Sequence, residues 1–124
     1  MLKTRLFEHA ADAKPVSAGT VIFHVGDERD YMYAVVEGHV DIVINGHVVE
    51  TVEPGGIFGE MALIGKDKRT ATAVAKTDAK LVPVDERRFV FLIQQTPNFA
   101  LHVMAVLAER LRQMDRRLAA AGGP

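Results

Sequence analysis

Between Pro15 and about Val84 the apolar residues arrive in brief β-branched and aromatic runs: Val21-Ile22-Phe23, Tyr31 to Val36, Val40 to Ile44, His47 to Val52, Ala71 to Ala75 and Lys80 to Val84. Glycine-bearing turns separate them, and many short strands with turn signals between them predict a sandwich or barrel. Ahead of this region, Met1 to Ala13 sets Leu2, Leu6 and Phe7 among charges at roughly helical spacing. That stretch is too short to sustain a helix by itself, so a short helix or a docked arm is expected. After Val84 the period turns helical: Asp85 is placed to cap a helix through Gln95, Pro97-Asn98 interrupts it, and a longer helix follows over about 98–120. The fold class expected is mostly β with flanking helices. An antiparallel, jelly-roll-like β-roll would occupy about 15–84 and a helical segment about 85–121, in a single domain spanning 1–124.

One turn can be specified. Asn45-Gly46 predicts a two-residue type I′ hairpin loop, whose central residues both need positive φ. A regular ladder from that turn sets Ile44 opposite His47, Ile42 opposite Val49 and Val40 opposite Thr51, so that Ile42 and Val49 share one face. On the last helix Ala100, Met104, Leu107, Leu111, Met114, Leu118 and Ala121 recur at alternating spacings of four and three. This heptad stripe is narrower than the face a globular helix usually buries, and it suits pairing with a second copy through 98–120; packing on the roll is the other reading.

The 124 residues suffice to bury about two thirds of the surface of the unfolded chain without staples. A formal net charge of −1 offers no general attraction for DNA or for an acidic membrane. The chain has no cysteine, which removes disulfides, thiolate metal sites and thiol nucleophiles together. Neither a signal peptide nor 18 consecutive apolar residues occurs, so a cytoplasmic location is expected.

Candidate chemistry concentrates in Phe58-Gly59-Glu60-Met61-Ala62-Leu63, closed by Arg69-Thr70-Ala71. Gly55, Gly56 and Gly59 admit a ligand close to the backbone, Glu60 can accept hydrogen bonds from a diol, and Arg69 can grip a phosphate through two parallel N–H bonds. A cyclic nucleotide carries both groups. The bland alternative is a solvated surface network in which Glu60 and Arg69 pair with each other or with Lys66, Asp67 and Lys68.

With these residues placed, the chain resembles the cyclic nucleotide-binding domain family across nearly its whole length. The resemblance rests on Gly-Glu-x-Ala-Leu followed by Arg-Thr-Ala, with Arg69 nine positions after Glu60, and on Gly19, Phe23, Gly26-Asp27, Asp30, Tyr33, Val35 and Gly38 at strand and turn positions. It implies a β-roll with a short helix inside a phosphate-binding loop and a helical C-terminal lid. It further implies that Glu60 holds the ribose 2′-hydroxyl beside Gly59 and Met61. Arg69 would pair with the cyclic phosphate, aided by the backbone N–H groups of Ala62, Leu63 and Ala71. Ile42 and Val49 would lie beside the base, with Leu111 or Met114 as a lid over it. The Thr70 hydroxyl could meet a guanine amino group or make only a local backbone bond, so cyclic AMP and cyclic GMP both remain candidate ligands.

Compared with the catabolite activator of that family, no DNA-binding helix-turn-helix follows the long helix, and Met114-Asp115 stands where the activator has a Thr-Ser pair. Direct DNA contact is therefore not expected, and output would pass to a second copy or an unknown downstream protein. Two other readings compete. One is a ligand-free interaction module of the same fold. The other is a cupin-like metalloenzyme, disfavoured because His9, His24, His39, His47 and His102 are isolated, with no His-x-His or His-x-x-x-His pair. Ser17, the only serine, lacks a nucleophile-elbow context, so no enzyme and no cofactor or metal are expected.

Overall fold

The computed structural model describes residues 4–28, 30–65 and 68–120. In chain order the elements are β1 (Lys14–Val16), β2 (Val21–Phe23), β3 (Met32–Glu37), β4 (Val40–Ile44), β5 (His47–Val52), β6 (Ile57–Phe58), α1 (Glu60–Ile64), β7 (Thr72–Ala75), β8 (Ala79–Val84), α2 (Glu86–Gln95) and α3 (Pro97–Ala120). The strands form two antiparallel four-stranded sheets, ordered β1-β8-β3-β6 and β2-β7-β4-β5. The β-roll with C-terminal helices is the expected class. Two strands were not foreseen. β1 carries Pro15 and sits at a sheet edge, where a residue without an N–H is tolerated, and β6 is too short to leave a pattern.

The first sheet is buried on both faces, which explains the continuous apolar runs of β3 and β8. Met32, Ala34, Ile57, Val82 and Val84 point to the helices and meet Phe89, Phe99, Val103 and Val106. Their neighbours Val35, Phe58, Ala79 and Leu81 point the other way, into a core closed by Phe23, Val40, Val52 and Ala73 of the second sheet. The first segment is a docked arm, built from turns around a buried Phe7. Phe7 meets Phe99 edge-on at 5.9 Å between ring centroids, and Phe99 meets Phe89 likewise at 5.9 Å.

The hairpin turns as expected, with φ of 51° at Asn45 and 78° at Gly46, but its register differs from the regular ladder. Ile44 faces His47 and Val43 faces Val48; then a bulge leaves Val49 unpaired, so that Ile42 faces Glu50, Asp41 faces Thr51 and Val40 faces Val52. The physical reason is readable in the side chains. A regular ladder would oppose Asp41 to Glu50, two carboxylates, whereas the bulged one gives Asp41 a hydrogen bond from Thr51 Oγ1 at 2.7 Å and pairs the two buried valines.

Asp85 caps α2, its carboxylate accepting from the Arg88 N–H at 2.8 Å. α2 and α3 then meet at a bend of 116°, and among the described residues no single helix is long and apolar enough to cross a membrane. On α3, Phe99, Val103 and Val106 face inward, and Leu107 packs partly against them. Ala100 of the heptad stripe is half-buried, and Met104, Leu111, Met114 and Leu118 are 51–61% exposed, so these four do not pack on the roll. Ala121 lies outside the described residues.

Because Met32 is fully buried at the junction of sheet and helices, Met32→Ala should cost roughly 2–5 kcal/mol of stability. Val48→Ala, on the exposed side of the hairpin, should stay within about 0.5 kcal/mol. Urea unfolding followed by circular dichroism measures both.

Candidate functional site

The site is built where the two cores meet. After β5 the chain folds back on β3, the Gly55 N–H donating to the Val35 carbonyl at 2.8 Å and the Val35 N–H to that of Gly56 at 2.9 Å. β6 then sends Ile57 into the helix-side core and Phe58 between the sheets. Gly59, at φ 79°, turns the chain into α1, whose first residue is Glu60. A Cβ on Gly59 would lie 2.8 Å from Arg69 Nη1, so the missing side chain is what lets the guanidinium rest against this backbone.

Arg69 is fixed from both ends. Its N–H donates to the Asp27 carbonyl at 3.0 Å, and its carbonyl accepts from the Gly26 N–H at 2.7 Å. The residue is only 5% exposed. Nη1 donates to the Gly59 carbonyl at 3.1 Å and Nη2 to that of Tyr31, while the guanidinium lies 4.0 Å over the centre of the Phe23 ring. Burial pushes its pKa below the ordinary arginine value, partly offset by Tyr33, Asp30, Asp27 and Glu60. Arg69 thus has carbonyl and ring partners, but among the described residues it has no carboxylate in salt-bridge contact, and its buried Nε has no partner. The solvated network does not form among the described residues. Glu60 and Arg69 are both buried and do not bond each other, and Lys68 reaches Glu28 at 3.7 Å. Lys66 and Asp67 lie outside the described residues.

Glu60 is 1% exposed. Its Oε1 accepts from Arg110 Nη1, and its buried Oε2 has no partner among the described residues. Arg110, on α3, completes its donor set with Glu50 of β5, through Nε to Oε1 at 2.9 Å and Nη2 to Oε2 at 3.2 Å, and with the Ile57 carbonyl through Nη2 at 2.7 Å. Burial alone would lower the Arg110 pKa. The Glu50 hydrogen bonds and the charges of Glu60 and Glu50 outweigh it, and the net shift is upward. Sequence reasoning missed both Arg110 and Glu50. The signal for Arg110 was a cation bordering the apolar stripe, directly before Leu111 and one helical turn before Met114.

The remaining candidates divide. Leu63 is buried in the helix-side core, Met61 is about half exposed, Ala62 lies in α1, and Thr70 (exposed) and Ala71 (half-buried) lead into β7. Ile42 is half-buried on the face shared with Glu50 and Val52. Leu111 and Met114 are exposed on α3, and Met114, four residues after Arg110, shares the side that meets the loop. Val49 lines a cleft of about 810 Å³ between β5 and α3, with Glu50, Ile57, Val106, Arg110 and Gln113 among its other walls. Glu60 and Arg69 are not among those walls, and Arg110 links this cleft to the loop by its bond to Glu60. The other buried polar side-chain atom without a partner among the described residues is His102 Nε2, on a ring whose pKa burial lowers. Among the described residues no three His, Asp or Glu side chains are grouped to hold a metal ion.

Residues 13–96 match the model of the cyclic nucleotide-binding domain family. The chain is 42% identical over 81 residues to the cAMP-dependent protein kinase regulatory subunit of Eremothecium gossypii, covering 65% of this chain and 18% of that one. It is 34% identical over 105 residues to the cyclic AMP receptor protein of Thermus thermophilus, covering 81% and 49%. The chain therefore spans half or less of the length of these curated relatives. Among solved structures, the Thermus thermophilus catabolite activator protein superposes with a TM-score of 0.78 at 29% identity, over 96% of this chain and 63% of that one. A structure from a cyclic-GMP-dependent signalling pathway of bacterial phytopathogenesis superposes with a TM-score of 0.70 at 27% identity, over 86% and 90%. A family model matched from residue 13 to 96, over the strands and loop that hold Glu60 and Arg69, means that the chain belongs to the cyclic nucleotide-binding domain family.

Proposed function

We propose that this chain is a non-enzymatic sensor that binds a cyclic mononucleotide, cyclic AMP or cyclic GMP, and passes the event on through α3. The observation that carries the reading is a pair of unmet hydrogen-bonding atoms in one loop: among the described residues nothing donates to the buried acceptor Glu60 Oε2, and nothing accepts from the buried donor Arg69 Nε. Leaving such atoms unsatisfied is costly, and a ribose hydroxyl and a cyclic phosphate oxygen complement them. Carbonyl oxygens now occupy the Nη atoms of Arg69. A phosphate, carrying full charge, is the stronger acceptor and competes for them.

In this reading Gly59 and Met61 border the sugar, and the N–H groups of Ala62, Leu63 and Ala71 face the phosphate. Ile42 and Val49 line the base, with Thr70 at its edge and Leu111 or Met114 above it. The link to output is Arg110: it holds the carboxylate that would receive the ribose, so a change at Glu60 is felt directly by α3. The exposed Met104, Leu111, Met114 and Leu118 then give α3 a face for a second copy of the chain, or for a downstream protein. The sensor would work in the cytoplasm, without contacting DNA or membrane.

Isothermal titration with cyclic AMP and cyclic GMP should show saturable binding of at least one. Silence with both at tens of micromolar, on the order of −6 to −7 kcal/mol, would favour the ligand-free module instead. Arg69→Gln, which keeps a donor but removes the charge, should weaken binding roughly 30-fold or more while the circular dichroism spectrum is retained. Wild-type affinity in that variant would remove Arg69 from the site. In sedimentation velocity the wild-type chain should run as a dimer and Leu118→Glu as a monomer; a wild-type monomer at high concentration, with and without nucleotide, would leave the α3 face to another partner.

A further inference from the structure

Glu50 has no part in the nucleotide contacts above, and its position is unusual for a carboxylate. It stands on the face of β5 shared with Ile42 and Val52, because the bulge at Val49 shifts the register there. Across the hairpin it faces Ile42, which offers its carboxylate no hydrogen bond. It reaches α3 and takes the guanidinium of Arg110 in a two-bond fork, at 2.9 and 3.2 Å, with both side chains about one-quarter exposed or less. Glu60 takes one bond from the same guanidinium, and its second oxygen has no partner among the described residues. One cation thus joins β5, β6, α1 and α3, and the larger share of its bonding goes to the residue that touches no proposed ligand group.

We infer that Glu50 is a positioning residue: through Arg110 it holds α3 docked over the loop whether or not Glu60 is engaged by a ligand, and so governs how fast a bound nucleotide escapes. The inference builds on the proposed nucleotide site. Its logic is a division of labour between two carboxylates. If Glu60 were the sole partner of Arg110, every hydrogen bond it gave to a ribose would compete with its hold on the helix. With Glu50 gripping the fork, Glu60 can receive a hydroxyl on Oε2 while α3 stays in place. The docked state is then the one that retains ligand, and apparent affinity falls in proportion to the fraction of molecules in which the helix is docked.

The experiment uses the absence of native cysteine: spin labels are attached to Lys76→Cys, exposed after β7, and Arg117→Cys, exposed on α3. Distances between them are measured by pulsed dipolar spectroscopy, without nucleotide and with whichever of cyclic AMP or cyclic GMP binds. Glu50→Gln should add a second, broader distance population in the nucleotide-free protein and should speed release of a fluorescent cyclic nucleotide roughly tenfold, the ratio expected when about 1.4 kcal/mol of docking is lost. Glu50→Asp, which keeps the charge on a shorter side chain, should fall between. A variant with wild-type distances and wild-type release, even if less heat-stable, would make Glu50 a merely structural residue and overturn the inference. Should Glu50→Gln fail to fold, Arg110→Lys removes the fork while keeping the charge and is judged by the same two readouts. If neither nucleotide binds the wild-type chain, the site proposal fails, and the nucleotide-free distances still decide whether Glu50 docks the helix.

Discussion

The guanidinium of Arg110 is the point on which the arrangement of the site depends. A cation and two carboxylates, one of them almost wholly buried, have been taken out of water together, and such groups are tolerated inside a protein only when their hydrogen bonds are largely met. Arg110 meets that demand with four bonds to three acceptor residues, among them the main chain of β6. Removing Arg110 would leave two carboxylates close together without their cation. The helix, the hairpin and the loop helix are consequently joined by electrostatics as well as by packing.

The apolar architecture sets the stage for that contact. Since the first sheet is covered on both faces, its strands have little freedom to slide, and β6, only two residues long, is locked by sending Ile57 and Phe58 into different cores. The loop that begins at Gly59 therefore starts from a rigid origin. Phe58 and Phe23 lie 6.0 Å apart between ring centroids, and the same Phe23 ring carries the Arg69 guanidinium. Hydrophobic order is thus transmitted within two side chains to the proposed phosphate-gripping group. The site is stiff where charge must be placed, and its adjustable part is the helix that leans on it.

Much of this was legible from residue pattern. The strand runs over Val21–Phe23, Val40–Ile44 and His47–Val52, the Asp85 cap and the break at Pro97 all follow from local chemistry, and local chemistry is what a sequence displays. Glu60 and Arg69 were legible because a glycine-framed acid and base nine residues apart are a local motif. Arg110 and Glu50 were not, since their meeting spans 60 residues and depends on the angle at which α3 crosses the roll. The hairpin register failed for a subtler reason. Counting from the turn assumes a regular ladder, which would oppose Asp41 to Glu50, and the bulge that avoids this lies beyond the turn's own chemistry. β1 and β6 were invisible because one contains a proline and the other is shorter than any repeat.

The unpaired Val49 has an implication for how relatives of this chain are compared. A bulge is one residue of extra length inside a strand, so a homologue lacking it would keep the same turn and the same strand ends while presenting different side chains to the helix. An alignment that runs through this hairpin without a gap would match a carboxylate that grips α3 to a residue on the opposite side of the sheet in the other protein. The position equivalent to Glu50 must be found by superposing strands, and families sorted that way could separate members whose helix is tethered from members whose helix is free.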